Sequence, residues 1–175
     1  MAESEQAKVS LTEEEVKLLQ ASWEILAEDK KTNGVKLFIK LFRKYPAAQD
    51  KFRAFKNVSL EDLDYDGETT KKNRKMVAHG MSVMYALESY IDSLDDMDCL
   101  VELVRKTAKS HLDRSIGVKE FMWMIPVTHE LIDYVTDGRE NVNVGGVKKA
   151  WTKIMTMVAD IVEIEANADT SQQLG

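Results

Sequence analysis

The chain has 175 residues, of which 44% are hydrophobic and 31% charged, and its net charge is -6. This length suits one domain with a sizeable core, and the negative charge disfavours nucleic acids and anionic membranes as partners. We expect no membrane span, because no run of about 18 apolar residues occurs, and no secretory signal, because the first residues are acidic. The lone Cys99 permits no internal disulfide, so a cytoplasmic location is predicted.

Glycine and proline are scarce, at eight and two residues, which favours long helices over strands and tight turns. The predicted fold class is therefore all-α. We expect a flexible N-terminal tail over residues 1–10, one helical domain over residues 11–166, and a flexible C-terminal tail over residues 167–175.

The first helix is predicted to begin after Thr12, whose hydroxyl can cap the free amides while Glu15 completes a capping box. Apolar residues then recur at helical spacing. Asn33–Gly34 is read as a break in this pattern, after which a second helix runs until just before Pro46. A short aromatic segment follows, and residues 58–69 are expected to form a mobile acidic loop with one helical turn, too acidic to be buried.

Two histidines lie on the apolar faces of separate predicted helices. The helix predicted over about residues 70–93 places His79 on its buried face. The next predicted helix, which ends near residues 114–117, places His111 on its buried face. Two inward imidazoles can face opposite sides of one metal, and imidazole is a common ligand of iron. Two further helices are expected, one over residues 119–134 with a kink at Pro126 and one over residues 144–165.

Several short motifs follow one another along the chain, and together they are typical of one family. In order they are Ser22–Trp23, residues 34–46, Phe52 with Phe55, His79–Gly80 with Val83, Ser110–His111, Phe121 and Trp151. Their order and spacing resemble the globins from Leu11 to about Glu165. The resemblance implies a globin fold of about eight helices around a haem pocket, with an extended loop between the C and E helices.

The resemblance also implies a cofactor, haem b (iron protoporphyrin IX), and a set of residues that hold it. His111 is expected to be the proximal iron ligand, and its second ring nitrogen would need an acceptor, either the Ser110 hydroxyl or a nearby carbonyl. His79 is expected on the distal side, where it would donate to a bound ligand and stabilise it by about 1–3 kcal/mol. The remaining expected pocket residues are Phe38, Phe52, Phe55, Val83, Ile116, Phe121 and Ile125. Cations for the haem propionates are sought among Lys75, Lys106, Lys109 and Arg114.

The function implied by the resemblance is reversible binding of dioxygen, and of other diatomic ligands, at ferrous haem for oxygen storage or transport. The alternative is a six-coordinate globin in which His79 itself binds iron, with a role in redox protection, ligand sensing or nitric oxide and nitrite chemistry. We do not expect an enzyme, although slow nitric oxide dioxygenase or nitrite reductase activity is compatible with the family. The remaining histidine, His129, is interpreted as a structural residue, and Cys99 as an inert thiol rather than a redox sensor.

Within the globins, residues 29–35 and 83–95 look most like molluscan intracellular globins. Some of these pair through their E and F helices, so a homodimer through the two histidine-bearing helices is predicted, with apolar residues of 101–104 exposed at the interface. Thr107 stands where cooperative dimers of this kind carry an aromatic residue. That mode of cooperativity is therefore not expected.

Overall fold

A computed structural model describes residues 10–65 and 73–173, and within these ranges the protein consists of eight helices without strands. This confirms the predicted all-α fold class and the expected number of about eight helices. In chain order the helices are α1 (Glu13–Ala27), α2 (Lys30–Lys44), α3 (Pro46–Asp50), α4 (Leu60–Leu63), α5 (Arg74–Asp92), α6 (Met97–Leu112), α7 (Val118–Thr136) and α8 (Val144–Gln173). None of the described helices is long and apolar enough to cross a membrane.

Side-chain caps mark the starts of several helices. The predicted capping box of α1 is present: Thr12 accepts from the amide of Glu15 at 3.2 Å, and the Glu15 carboxylate accepts from the amide of Thr12 at 2.7 Å. Asn73 caps α5 and Asp96 caps α6 in the same way, each accepting an amide of the first turn. The two helices that carry the histidines therefore begin at residues whose side chains satisfy otherwise unpaired amides.

The expected helix break at Asn33–Gly34 is wrong, because α2 begins at Lys30 and runs through both residues. The Asn33 side-chain amide donates to the carbonyl of Leu26 at 2.8 Å and so ties the first turn of α2 to the last turn of α1. Gly34 packs on Gly80 of α5, and a Cβ built on it would lie 2.6 Å from the Gly80 carbonyl carbon. These residues thus mark a close crossing of two helices.

The predicted acidic loop over residues 58–69 is described only as far as residue 65, and this part contains the predicted helical turn, α4. It is not too acidic to be buried. Leu63 is only 1% exposed, and Asp64 pairs with Lys36 of α2 at 2.8 Å. The apolar side chain enters the core while the neighbouring carboxylate finds a cation, so acidic composition alone misled the prediction. The predicted start of α5 at Thr70 lies outside the described residues.

Helix α8 continues to Gln173, beyond the predicted end at Glu165. No glycine or proline follows Gly146 until Gly175, so no breaker ends the helix sooner. Pro126 lies inside α7, as predicted. The predicted flexibility of residues 1–10 and 167–175 stays a prediction.

A contact in the buried core joins the first helix, α1, to the last helix, α8. Trp151 of α8 is buried, its indole N–H donates to the Ser22 hydroxyl at 2.9 Å, and its ring lies 6.4 Å from that of Trp23. The Ser22–Trp23 and Trp151 motifs are therefore parts of one contact. Because the indole and hydroxyl satisfy each other, this polar pair can be buried without penalty.

Candidate functional site

A cavity of about 310 Å³ lies between α2, α5, α6, α7 and α8, and most of its lining is apolar. It brings together eight of the ten predicted pocket residues: Phe38, Phe52, His79, Val83, Ser110, His111, Ile116 and Phe121. The two histidines thus open onto one shared apolar space from different helices.

Phe55 and Ile125 are not among the described residues that line this cavity. Phe55 is buried and its ring stacks on that of Phe52, with ring centroids 5.8 Å apart. Five positions of α7 line the cavity and cover one side of that helix: Glu120, Phe121, Trp123, Met124 and Thr128. Ile125 lies one position further round and packs against the core instead.

His111 lies in the last turn of α6, and its Nδ1 is fixed by the protein. This atom lies 2.8 Å from the carbonyl oxygen of Thr107 and 3.3 Å from the Ser110 hydroxyl. The Ser110 hydroxyl itself donates to the same carbonyl at 2.9 Å. Of the two acceptors left open by the sequence, the Thr107 carbonyl is therefore the better placed.

This hydrogen bond determines which ring nitrogen of His111 is free. A carbonyl oxygen only accepts, so Nδ1 must carry the proton, and in the neutral imidazole Nε2 then keeps its lone pair. The ring of Phe121 packs edge-on against the imidazole at 5.1 Å and restricts its rotation. His111 thus presents an oriented metal-ligating nitrogen, as expected of a proximal ligand.

His79 of α5 is enclosed by aromatic rings. Its ring centroid lies 4.7 Å from that of Phe38, 5.2 Å from Phe52 and 6.1 Å from Phe55. Burial lowers the pKa of His79 most, and repulsion from His111, in that ring's protonated form, and from the positive charge of Arg114 lowers it further. No described residue forms a hydrogen bond with this imidazole, so a neutral ring with an uncommitted N–H faces the cavity.

None of the four cations predicted for the haem propionates is among the described cavity-lining residues. Lys109 lies 3.9 Å from a Glu165 carboxylate oxygen, and the Arg114 guanidinium donates to the Ser110 carbonyl. The cationic side chain that does line the described part of the cavity is Lys51, which the sequence interpretation missed. Its position directly before Phe52 was the available signal.

Two other cavity residues were missed and are bonded to each other. The Tyr90 hydroxyl donates to the Thr107 hydroxyl at 2.6 Å, and this bond joins α5 to α6. The rest of the unpredicted lining comes from Leu41, Ala48, Ser82, Ala86, Leu87, Glu120, Trp123, Met124, Thr128, Met155 and Val158. Most of these are ordinary core residue types, which no motif distinguishes from the remaining core.

Outside the cavity, His129 has the structural role that the sequence suggested. Its Nε2 lies 3.1 Å from the Lys148 carbonyl and 2.8 Å from the Thr152 hydroxyl, both on α8. Of the apolar residues predicted to be exposed at 101–104, Val104 is buried, whereas Val101 and Leu103 are half-buried and also pack against the core. Only part of the expected apolar surface is therefore accessible to a partner.

The fold and the cavity define a helical protein in which two imidazoles from different helices open onto one largely apolar space. Residues 35–162 match the family model described as Globin. The chain is 30% identical to a globin of Tritia mutabilis over 86% of its length and 97% of that protein, and 32% identical to Globin-1 of Anadara broughtonii over 87% and 94%. With the Globin-2 B chain of Anadara inaequivalvis the identity is 36%, over 59% of this chain and 63% of that protein.

The chain belongs to the globin family, and its relatives are molluscan globins. Membership implies a haem cofactor, and the cavity fits that group on its own chemistry. An apolar space suits a porphyrin, and the free Nε2 of His111 suits its iron. The residues present and the family thus point to the same prosthetic group.

Proposed function

We propose that this globin binds dioxygen reversibly at the ferrous iron of haem b, for storage or transport of oxygen inside the cell. The observation that carries the proposal is the unequal state of the two imidazoles that share the cavity. His111 is held by the Thr107 carbonyl at 2.8 Å, whereas the described residues leave His79 unpaired within a cage of rings. One imidazole is oriented to hold a metal, and the other is free to hold a ligand.

Haem supplies a ferrous iron that binds diatomic ligands, and the protein supplies the surroundings. The Thr107 carbonyl keeps Nδ1 of His111 protonated. This hydrogen bond orients the ring and makes the Nε2 lone pair a stronger ligand for iron. On the other side, the N–H of His79 would stabilise a polar ligand such as dioxygen by about 1–3 kcal/mol. The lowered pKa of His79 keeps that ring neutral, so it does not supply an acidic proton.

The aromatic cage has a second role, which is to exclude water. Phe38 and Phe52 pack edge to face at 5.6 Å, and both contact the His79 ring. Val83, one helical turn after His79, extends the apolar surface along α5. A dry distal side limits protonation of the bound ligand and would slow oxidation of the iron.

Lys51 is proposed to bind one haem propionate. Its ammonium lies 3.1 Å from the Ser115 carbonyl and 4.0 Å from a Glu120 carboxylate oxygen. Glu120 is itself engaged at 3.0 Å by the amide of Gly117, at the start of α7. An ammonium group has three donors, so Lys51 keeps one for a carboxylate at the edge of the cavity.

The test is a cycle of oxygenation and deoxygenation on the haem-loaded ferrous protein, followed by visible absorption. We expect full conversion on adding oxygen and full return on removing it. Loss of the ferrous state in every cycle would contradict the proposal. If His79 instead binds iron, the rate of carbon monoxide binding will reach a plateau as its concentration rises, because His79 must leave first. A rate that stays proportional to concentration supports the open site.

The proposal includes no enzymatic role beyond slow nitric oxide dioxygenation or nitrite reduction. Turnover with a reductase that exceeds that of an ordinary myoglobin would overturn this part. A homodimer through α5 and α6 also remains a proposal, and it must use surface other than the buried Val104. Sedimentation at several concentrations tests it, and a monomer throughout would exclude it.

A further inference from the structure

Tyr90 and Thr107 form a hydrogen bond between the two histidine-bearing helices at the cavity wall. Tyr90 is 5% exposed, and its hydroxyl donates to the Thr107 hydroxyl at 2.6 Å. Thr107 in turn donates to the Leu103 carbonyl, one turn earlier in α6, at 3.2 Å. The threonine hydroxyl therefore both accepts and donates, and the bond fastens α6 to α5 through a short polar chain.

A buried phenol is not needed to fill this position. Phenylalanine would occupy nearly the same volume without a hydroxyl that must be satisfied, and an unsatisfied buried hydroxyl is costly. Burial raises the pKa of Tyr90, so the phenol stays protonated and remains a donor at neutral pH. The hydroxyl thus has a specific partner in a wall that is otherwise mostly apolar.

Thr107 is also the residue that holds the imidazole of His111. Its carbonyl oxygen lies 2.8 Å from Nδ1 of His111 and accepts from the Ser110 hydroxyl at 2.9 Å. Thr107 therefore accepts a hydrogen bond from Tyr90 at its side-chain hydroxyl and hydrogen bonds from Ser110 and His111 at its backbone carbonyl. A change in the position of Thr107 must move the acceptor that orients the imidazole.

We propose that Tyr90 is a positioning residue for His111, acting through Thr107. Since a hydrogen bond between residues far apart in the chain limits the motion of both helices, Tyr90 holds the last two turns of α6 against α5. The Thr107 carbonyl then keeps one position relative to the cavity, and the imidazole keeps one orientation. The inference rests on the proposed function insofar as His111 is taken as the iron ligand.

The test compares Tyr90→Phe with the wild-type protein by resonance Raman spectroscopy of the haem-loaded ferrous state. The iron–histidine stretching band reports the orientation and basicity of His111, which a merely structural role of Tyr90 would not move. We expect the band to shift and broaden, and haemin loss to become about fivefold faster, as expected for one net hydrogen bond. Tyr85→Phe is the matched control, because Tyr85 is on the same helix but exposed.

Variants of Thr107 test whether Tyr90 acts on His111 through this threonine. Thr107→Ser keeps the hydroxyl and should preserve the band, whereas Thr107→Val should reproduce the effect of Tyr90→Phe. The double variant should be no worse than either single one, because both remove the same bond. An unchanged band in Tyr90→Phe, or additive effects in the double variant, would overturn the inference. Absence of the band from the wild-type protein would mean either that His111 is not the ligand or that His79 also binds the iron, and either result would overturn the proposed function.

Discussion

The crossing of α2 and α5 should control the distal side of the cavity, and Gly34→Ala tests this. A methyl group at Gly34 would lie 2.6 Å from both the carbonyl carbon and the oxygen of Gly80. These are backbone atoms and cannot rotate away. Reaching an ordinary contact of 3.4 Å requires the helices to separate by about 0.8 Å.

The magnitude follows from two opposing terms. Overpacking of this kind costs about 1–3 kcal/mol, and the better helix propensity of alanine returns about 0.5–1 kcal/mol. We therefore expect a net loss of about 1 kcal/mol, within a range of about 0–2.5 kcal/mol, against a typical unfolding free energy of about 5–15 kcal/mol. Because Phe38 follows Gly34 by one turn and His79 precedes Gly80, the 4.7 Å contact between their rings should loosen as well.

Urea unfolding of the haem-loaded protein measures the first effect, and the dioxygen dissociation rate measures the second. Gly145→Ala is the matched control, because no atom lies within 4 Å of a Cβ at that exposed position of α8. It should leave stability unchanged or slightly raised, with normal dissociation. If Gly34→Ala unfolds at the same urea concentration as Gly145→Ala, the close crossing does not constrain the fold as argued.

Three further predictions concern the site. His79→Leu removes the distal hydrogen-bond donor, so stopped-flow measurements should show dioxygen dissociating about 5- to 150-fold faster, in line with about 1–3 kcal/mol. The effect on carbon monoxide dissociation should be smaller. Equal effects on both ligands would contradict a hydrogen bond from His79. Lys51→Met should speed haemin loss about two- to fivefold, whereas the control Lys106→Met should not. The difference between these variants should vanish with haem dimethyl ester, because its esterified propionates carry no charge. A difference that persists with the ester would argue against a contact between Lys51 and a propionate. Because the pKa of Tyr90 is raised in the folded state, its contribution to stability is present below about pH 10 and is lost as the pH rises through the folded-state pKa. The free energy of unfolding should therefore differ between wild type and Tyr90→Phe below about pH 10, and this difference should shrink as the pH rises through the folded-state pKa. Urea unfolding at several pH values measures it, and a difference that does not change with pH would contradict ionisation of Tyr90 as the cause of the change.

Much of the fold could be predicted because local signals and tertiary contacts agree. Thr12 and Glu15 form the capping box that their spacing indicated, and both histidines lie on inward faces as the helical periodicity required. Asn33–Gly34 shows the limit of such reasoning. The pair has the composition of a turn, but its reason for being there is a helix crossing with Gly80, which lies far away in the sequence.

The candidate site was predicted only as far as motifs extend. Eight of ten expected pocket residues line the cavity, whereas Lys51 and the Tyr90–Thr107 pair were missed. These roles depend on contacts between side chains of different helices, and the periodicity of apolar residues within one helix does not predict such contacts. Ile125 was misplaced for a related reason, because one residue of helical register decides whether a side chain faces the cavity or the core.

The visible absorption spectrum of the ferrous protein, taken before and after oxygen is admitted, tests the central claim most directly. With His111 as the protein ligand and His79 held back as a donor, the oxygen-free spectrum should show one broad band. This band should split when oxygen is added and return when it is removed. Sharp split bands before any oxygen is present would mean that His79 occupies the ligand position. A protein that takes up no haem would contradict the whole account.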